Sequence, residues 1–138
     1  MQIADTYRPS VMIADGSKDT RDLLKYWLES KGCRVLEAVN GEEVVELSRD
    51  ERIDLLLMSI TLPLLDGLEA TRRVRKRSRQ DVFPIVCVST YPTKEAESSA
   101  LAAGCSSFIA QPFDFNFLNN LLSRLPPEAA SHPPGKTN

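Results

Sequence analysis

From Ser10 to Leu125, short apolar runs alternate with stretches in which apolar residues return every three or four positions. The first run is Ser10 to Ala14, and Asp15-Gly16-Ser17 breaks it. Ser17 is placed to cap a helix with Asp19 in its first turn; Leu23, Leu24, Trp27 and Leu28 fall on one face, and Gly32 ends it. Cys33 to Val39 alternates like a half-buried strand, and Asn40-Gly41-Glu42-Glu43 opens a second helix with Val44, Val45 and Leu47 inward. Ile53 to Met58, apolar but for Asp54, stops at the hydroxyl of Ser59 and passes through Pro63, which no continuing ladder tolerates. A helix restarts behind Asp66-Gly67, where Asp66 and Glu69 make a capping-box-like start. Pro84 to Val88 is a fourth strand, followed by Ser89, Thr90 and a helix from Thr93 to Ala103 that Gly104 stops. Cys105 to Ala110 is a fifth strand, and Gln111-Pro112-Phe113 turns the chain into a last helix, Asp114 to Leu125, with Phe117, Leu118, Leu121 and Leu122 facing in.

Five strands alternating with five helices through short loops require a parallel sheet with helices on both faces, and right-handed crossovers leave few topologies. The expected fold is the flavodoxin-like (βα)5 arrangement, a doubly wound five-stranded parallel sheet in the order 2-1-3-4-5. Ser59 then stands at the carboxyl end of a central strand, where open α/β sheets place ligands and chemistry. The folded domain is read as residues 9–125, preceded by an extension, 1–8, and followed by a Pro-rich disordered tail, 126–138.

Composition adds limits. With 138 residues, 42% hydrophobic and 26% charged, the chain has material for one core. A net charge of -2 gives no global field to gather nucleic acid or anionic lipid, so partners must be recognised locally. No membrane-spanning run or signal peptide is read, and the cytoplasm is the expected location. Cys33, Cys87 and Cys105 are far apart in sequence and lack metal-ligand spacing, which predicts reduced, buried or half-buried thiols.

Val11-Met-Ile-Ala-Asp-Gly-Ser, Asp54-Leu-Leu-Leu-Met-Ser-Ile-Thr-Leu-Pro-Leu-Leu-Asp-Gly, Pro84-Ile-Val-Cys-Val-Ser-Thr, Ala102-Ala-Gly-Cys and Gln111-Pro-Phe share the order and spacing of a response-regulator receiver domain, which this chain resembles over roughly 9–125. In that CheY-like family, adjacent acids after the first strand hold Mg²⁺, and an aspartate ending the third accepts a phosphoryl group from a histidine kinase. A Ser or Thr after the fourth strand and a Lys after the fifth grip the phosphate, and an aromatic in the fifth strand moves with the hydroxyl. By resemblance, Asp15 is the first acid, Ser89 the hydroxyl, Phe108 the switch aromatic, and Pro112 follows in place. Gly16 replaces the second acid, Ser59 the phosphoacceptor and Gln111 the lysine.

Phosphotransfer from phosphohistidine needs an ionised oxygen nucleophile, a bridging divalent metal and a cation for developing charge. Ser59 is neutral at pH 7, the only histidine is His132 near the chain end, and Gln111 lacks the ammonium point charge. Asp15 is the one carboxylate expected in the pocket, so Mg²⁺ binding is expected to be weak or absent. Asp15, Ser59, Ser89 and Gln111 are instead expected to close a hydrogen-bond network among themselves. The expected function is a degenerate pseudo-receiver: not an enzyme, but an atypical, phosphorylation-independent protein-interaction module of two-component signal transduction. Its partner is a signalling kinase, an output protein or a second copy of itself, met through the helix from Thr93, the strand ending at Ala110 and the helix from Asp114.

Two alternatives belong to other classes. One is a receiver that still takes phosphate, near Ser89 or as phosphoserine at Ser59 or Ser17. The other is nucleic-acid contact through Arg72, Arg73, Arg75, Lys76, Arg77 and Arg79, a run without the interleaved aromatics that base stacking uses. A solvated helix face or an acidic partner protein is the more ordinary explanation of that run.

Overall fold

In the computed structural model, which describes residues 8–77 and 83–125, strands and helices alternate throughout. The strands are β1 (Ser10–Ala14), β2 (Arg34–Ala38), β3 (Leu55–Ser59), β4 (Ile85–Ser89) and β5 (Ser107–Ala110). The helices are α1 (Lys18–Ser30), α2 (Gly41–Asp50), α3 (Gly67–Arg77), α4 (Lys94–Ala103) and α5 (Phe115–Arg124). All strand pairs are parallel, in the order β2-β1-β3-β4-β5. This is the flavodoxin-like (βα)5 fold the sequence predicts. Among the described residues no helix is long and apolar enough to cross a membrane.

Successive side chains of a strand point to opposite faces, and the central strands use both. Val11, Ile13, Leu55, Leu57, Val86 and Val88 join Leu24 and Leu28 of α1 and Leu118 of α5 in one core. Met12, Ala14, Leu56, Met58, Ile85 and Cys87 join Val44 of α2, Ala70 and Val74 of α3 and Ala100 of α4 in the other. Truncating a fully buried member such as Leu56 costs about 2–5 kcal/mol, because the cavity adds to the lost transfer energy. Local chemistry starts each helix. The side chains of Ser17, Asn40, Asp66, Thr93 and Asp114 each accept a first-turn N–H.

Some expectations shift. β3 begins at Leu55, because the carboxylate of buried Asp54 takes the N–H of Ser10 at 2.8 Å and lies 3.5 Å from the Arg52 guanidinium. β5 begins at Ser107: the Cys105 N–H still bonds Ala100 O at 3.0 Å in the turn out of α4, and the Ser106 N–H makes the first contact with β4, at Ile85 O. Glu69 does not complete a capping box; it ion-pairs with Arg72 and Arg73, and Arg72 first holds its carboxyl below the usual carboxylate range. Leu23 is 52% exposed and does not join Leu24 and Leu28, because it lies at the outward margin of the α1 stripe. Trp27 is half-buried, packed on Phe115 with ring centroids 5.0 Å apart.

The expectation of three reduced cysteines is overturned. Cys87 and Cys105 form a disulfide across the β4 to β5 boundary, while Cys33 is a free, buried thiol in the opposite core. A separation of 18 residues carries no pairing signal; the return of the chain at Gly104 makes the two neighbours. The extension before Arg8, the Pro-rich tail with His132, and Arg79 lie outside the described residues.

Candidate functional site

Parallel strands finish at one edge of the sheet, which brings Asp15, Ser59, Ser89 and Gln111 to neighbouring strand ends. The N–H of Asp15 reaches Ala38 O at 3.1 Å, extending the β1 ladder by one residue. Ser59 closes β3 opposite Val88, and Ser89 closes β4 opposite Ala110. Gln111 follows β5 directly, donating its N–H to Ser89 O at 3.0 Å, and the Gln111-Pro112 peptide is cis.

The expected closed network does not form. Asp15 Oδ1 accepts the N–H of Ser17 at 2.8 Å, and Arg21 Nη1 donates to the Asp15 carbonyl at 2.9 Å. Ser59 Oγ donates to Thr61 O at 3.1 Å and accepts from Thr61 N–H at 3.2 Å. Ser89 Oγ accepts from Tyr91 N–H at 3.0 Å. Short polar side chains at strand ends find backbone partners two residues on at little entropic cost, so each closes its own turn instead of reaching across the pocket. The one bond linking these residues is the backbone contact from Gln111 to Ser89.

The glycines around this edge differ in what they require. A Cβ on Gly67 would lie 2.5 Å from Ser59 O, and one on Gly41 would run into the Leu65 carbonyl. A Cβ on Gly16 would meet the ring of Pro63 at 3.5 Å and the Val39 carbonyl at 3.9 Å, both ordinary contacts, so backbone packing does not demand glycine there.

Phe108 is half-buried against the core that holds Cys87, its cross-strand neighbour. Two rim residues escape sequence reasoning: Leu64, with φ 68° and 76% exposed, and Tyr91, 81% exposed. A leucine at positive φ has no sequence signal, since that conformation favours Gly, Asn or Asp. Arg75, expected on a basic face, instead donates from Nε to Gly104 O at 2.9 Å, reaches Ser106 Oγ with Nη2 at 3.3 Å, and sets its guanidinium 5.7 Å from the Phe83 ring centroid. Burial lowers its pKa from the usual arginine value.

A doubly wound sheet whose polar strand ends gather at its carboxyl edge places the chain in the flavodoxin-like α/β class; the response regulator receiver domain family matches residues 11–123, so the chain belongs to that family. Among its relatives, the polar-differentiation response regulator DivK of Brucella anthropi is 30% identical over 117 residues, 84% of this chain and 95% of DivK. Protein PilH of Pseudomonas aeruginosa is 32% identical over 104 residues, 75% of this chain and 86% of PilH. A similar solved structure is the receiver domain of a P. aeruginosa sensor histidine kinase, with a TM-score of 0.78 and 26% identity, covering 86% of this chain and 97% of that one.

Proposed function

We propose that this chain is a phosphorylation-independent receiver, a protein-interaction module of two-component signalling whose pocket no longer takes a phosphoryl group. The observation that carries this reading is Ser59: at the end of β3 stands a neutral hydroxyl, its proton and a lone pair engaged by Thr61. An ionised nucleophile is the first need of phosphotransfer, and no side chain is hydrogen-bonded to Ser59 as a base to make one.

The donor set also fails to fit a divalent cation. The similar kinase receiver was solved with magnesium coordinated in its cleft. Here Asp15 has one oxygen committed to the α1 turn, Gly16 offers no side chain, and Ser59 is neutral. Among the described residues no group of three or more His, Cys, Asp or Glu side chains could hold a metal. Mg²⁺ is held by carboxylates in a near-octahedral shell, and one carboxylate is a poor beginning. Gln111 brings no charge for a phosphoryl group.

Information then passes by shape alone. The proposed partner surface is α4, β5 and α5, where Leu101 is 48% exposed on α4. It would receive a signalling kinase, an output protein or a second copy of the chain. Calorimetric titration with Mg²⁺ into the millimolar range tests the pocket: no saturable heat and no rise in melting temperature are expected. A bound ion at a hundred times its dissociation constant would add about 2.7 kcal/mol, and a rise of that order would overturn the reading.

A further inference from the structure

We infer that Cys87 and Cys105 form a reversible redox site, closed to a disulfide by a peroxide and reopened to two thiols by a dithiol reductant, which tightens and releases α4. The inference stands apart from the loss of the phosphoacceptor and holds whether or not Ser59 is ever modified.

Position is the first support. The two Cα atoms are 6.3 Å apart, inside the range of roughly 4.4–6.8 Å that disulfides span. Cys87 is wholly buried in β4; Cys105 is 6% exposed in the turn from α4 to β5, which makes it the sulfur a small oxidant reaches first. The second support is that the surroundings suit both states. Thr71 Oγ1 donates to Gly67 O at 2.8 Å and lies 3.8 Å from Cys105 Sγ. With its proton already given away, that hydroxyl can accept the S–H of a reduced Cys105. Arg75 holds its guanidinium on Gly104 O and Ser106 Oγ, the residues flanking Cys105, which fixes a cation on the turn that carries this sulfur. Cys33 lies in the other core, where burial outweighs the charge of Arg8 and pushes its thiol up to about 11, which leaves it inert.

The chemistry balances. The Cys105 thiolate attacks one peroxide oxygen, the O–O bond breaks, and the departing hydroxide takes up a proton as water, leaving a sulfenic acid. Cys87 sulfur then attacks the Cys105 sulfur, the S–O bond breaks, and the second water leaves with the proton of Cys87. Two thiols and one hydrogen peroxide give one disulfide and two waters. A dithiol returns the two electrons and two protons by thiol–disulfide exchange.

The consequence follows from what the loop contains. The bond closes a loop with a sequence separation of 18 that carries Ser89, Tyr91 and all of α4, and it joins the chain just ahead of β5 to the residue opposite Phe108. Oxidation therefore ties the C-terminal end of α4 to β4, to which the chain already joins its N-terminal end.

The full chain, treated natively with hydrogen peroxide or with dithiothreitol, is unfolded in N-ethylmaleimide and weighed intact. One adduct, on Cys33, is expected after peroxide, and three after dithiothreitol or after peroxide followed by dithiothreitol. The Cys33→Ala variant should give none and two. Hydrogen exchange across α4 should slow roughly tenfold or more in the oxidised chain. Three adducts after peroxide, a bond that native dithiothreitol does not open, or equal α4 exchange in the two states would overturn the inference.

Discussion

Ser59 Oγ bonds Thr61 twice, and a Cβ on Gly16 would make only ordinary contacts. On the proposed reading, these two positions depart from a phosphate-binding set in their chemistry, with no demand from backbone packing at Gly16. Gly67 and Gly41 are the reverse, since a Cβ at either meets backbone that cannot yield cheaply. Gly67→Ala and Gly41→Ala are expected to lose about 1–3 kcal/mol or more in urea unfolding, while Gly16→Ala stays within about 0.5 kcal/mol of the parent. Equal losses at all three would show that Gly16 is held by packing after all. Cys33 gives a pH dependence. Its folded pKa, about 11, lies above the ordinary 9.0, so the folded state keeps the proton more tightly. That contribution is whole below pH 9 and is lost as pH rises toward 11. The parent should lose about 2 kcal/mol more than Cys33→Ala between pH 8.5 and 11, read from urea midpoints; parallel curves would contradict this.

At the scale of elements, Arg75 is the tie between α3 and the α4 to β5 corner. Arg75→Met keeps much of the apolar stem but loses the bonds to Gly104 and Ser106, and an unfolding cost of about 1–3 kcal/mol is expected. A neutral result would leave Arg75 as one more solvated charge. The helices and strands were legible in the sequence because caps and apolar periods agree: Ser17, Asn40, Thr93 and Asp114 all start helices, and Gly104 ends one at φ 119°. What was not legible depends on contacts between distant segments. The Cys87 to Cys105 bond, the inward turn of Arg75 and the hold of Asp54 on Ser10 exist only once the sheet brings those segments together. The pocket was half legible. Its residues were located by resemblance to the receiver family, but the cross-pocket network gave way to bonds within each turn, a competition that residue types alone do not decide.

For the whole molecule, the sheet gathers at one edge a pocket with the Asp15 carboxylate but no cation from Gln111 and no second acid from Gly16. The basic run of α3 sets five cations against the single acid Glu69, a formal +4 on a chain whose net charge is -2, and only Arg72 and Arg73 share that acid. If composition at the pocket is the reason phosphate is not taken, then restoring it should restore chemistry on the same scaffold. The triple variant Gly16→Asp, Ser59→Asp, Gln111→Lys is the comparison, because a Cβ at Gly16 meets no backbone closer than ordinary contact. Intact-mass spectrometry after incubation with acetyl phosphate and Mg²⁺ measures this directly. The expected result is no adduct on the parent chain and a gain of about 80 Da on the triple variant. A stoichiometric, magnesium-dependent gain of that size on the parent chain would contradict the account.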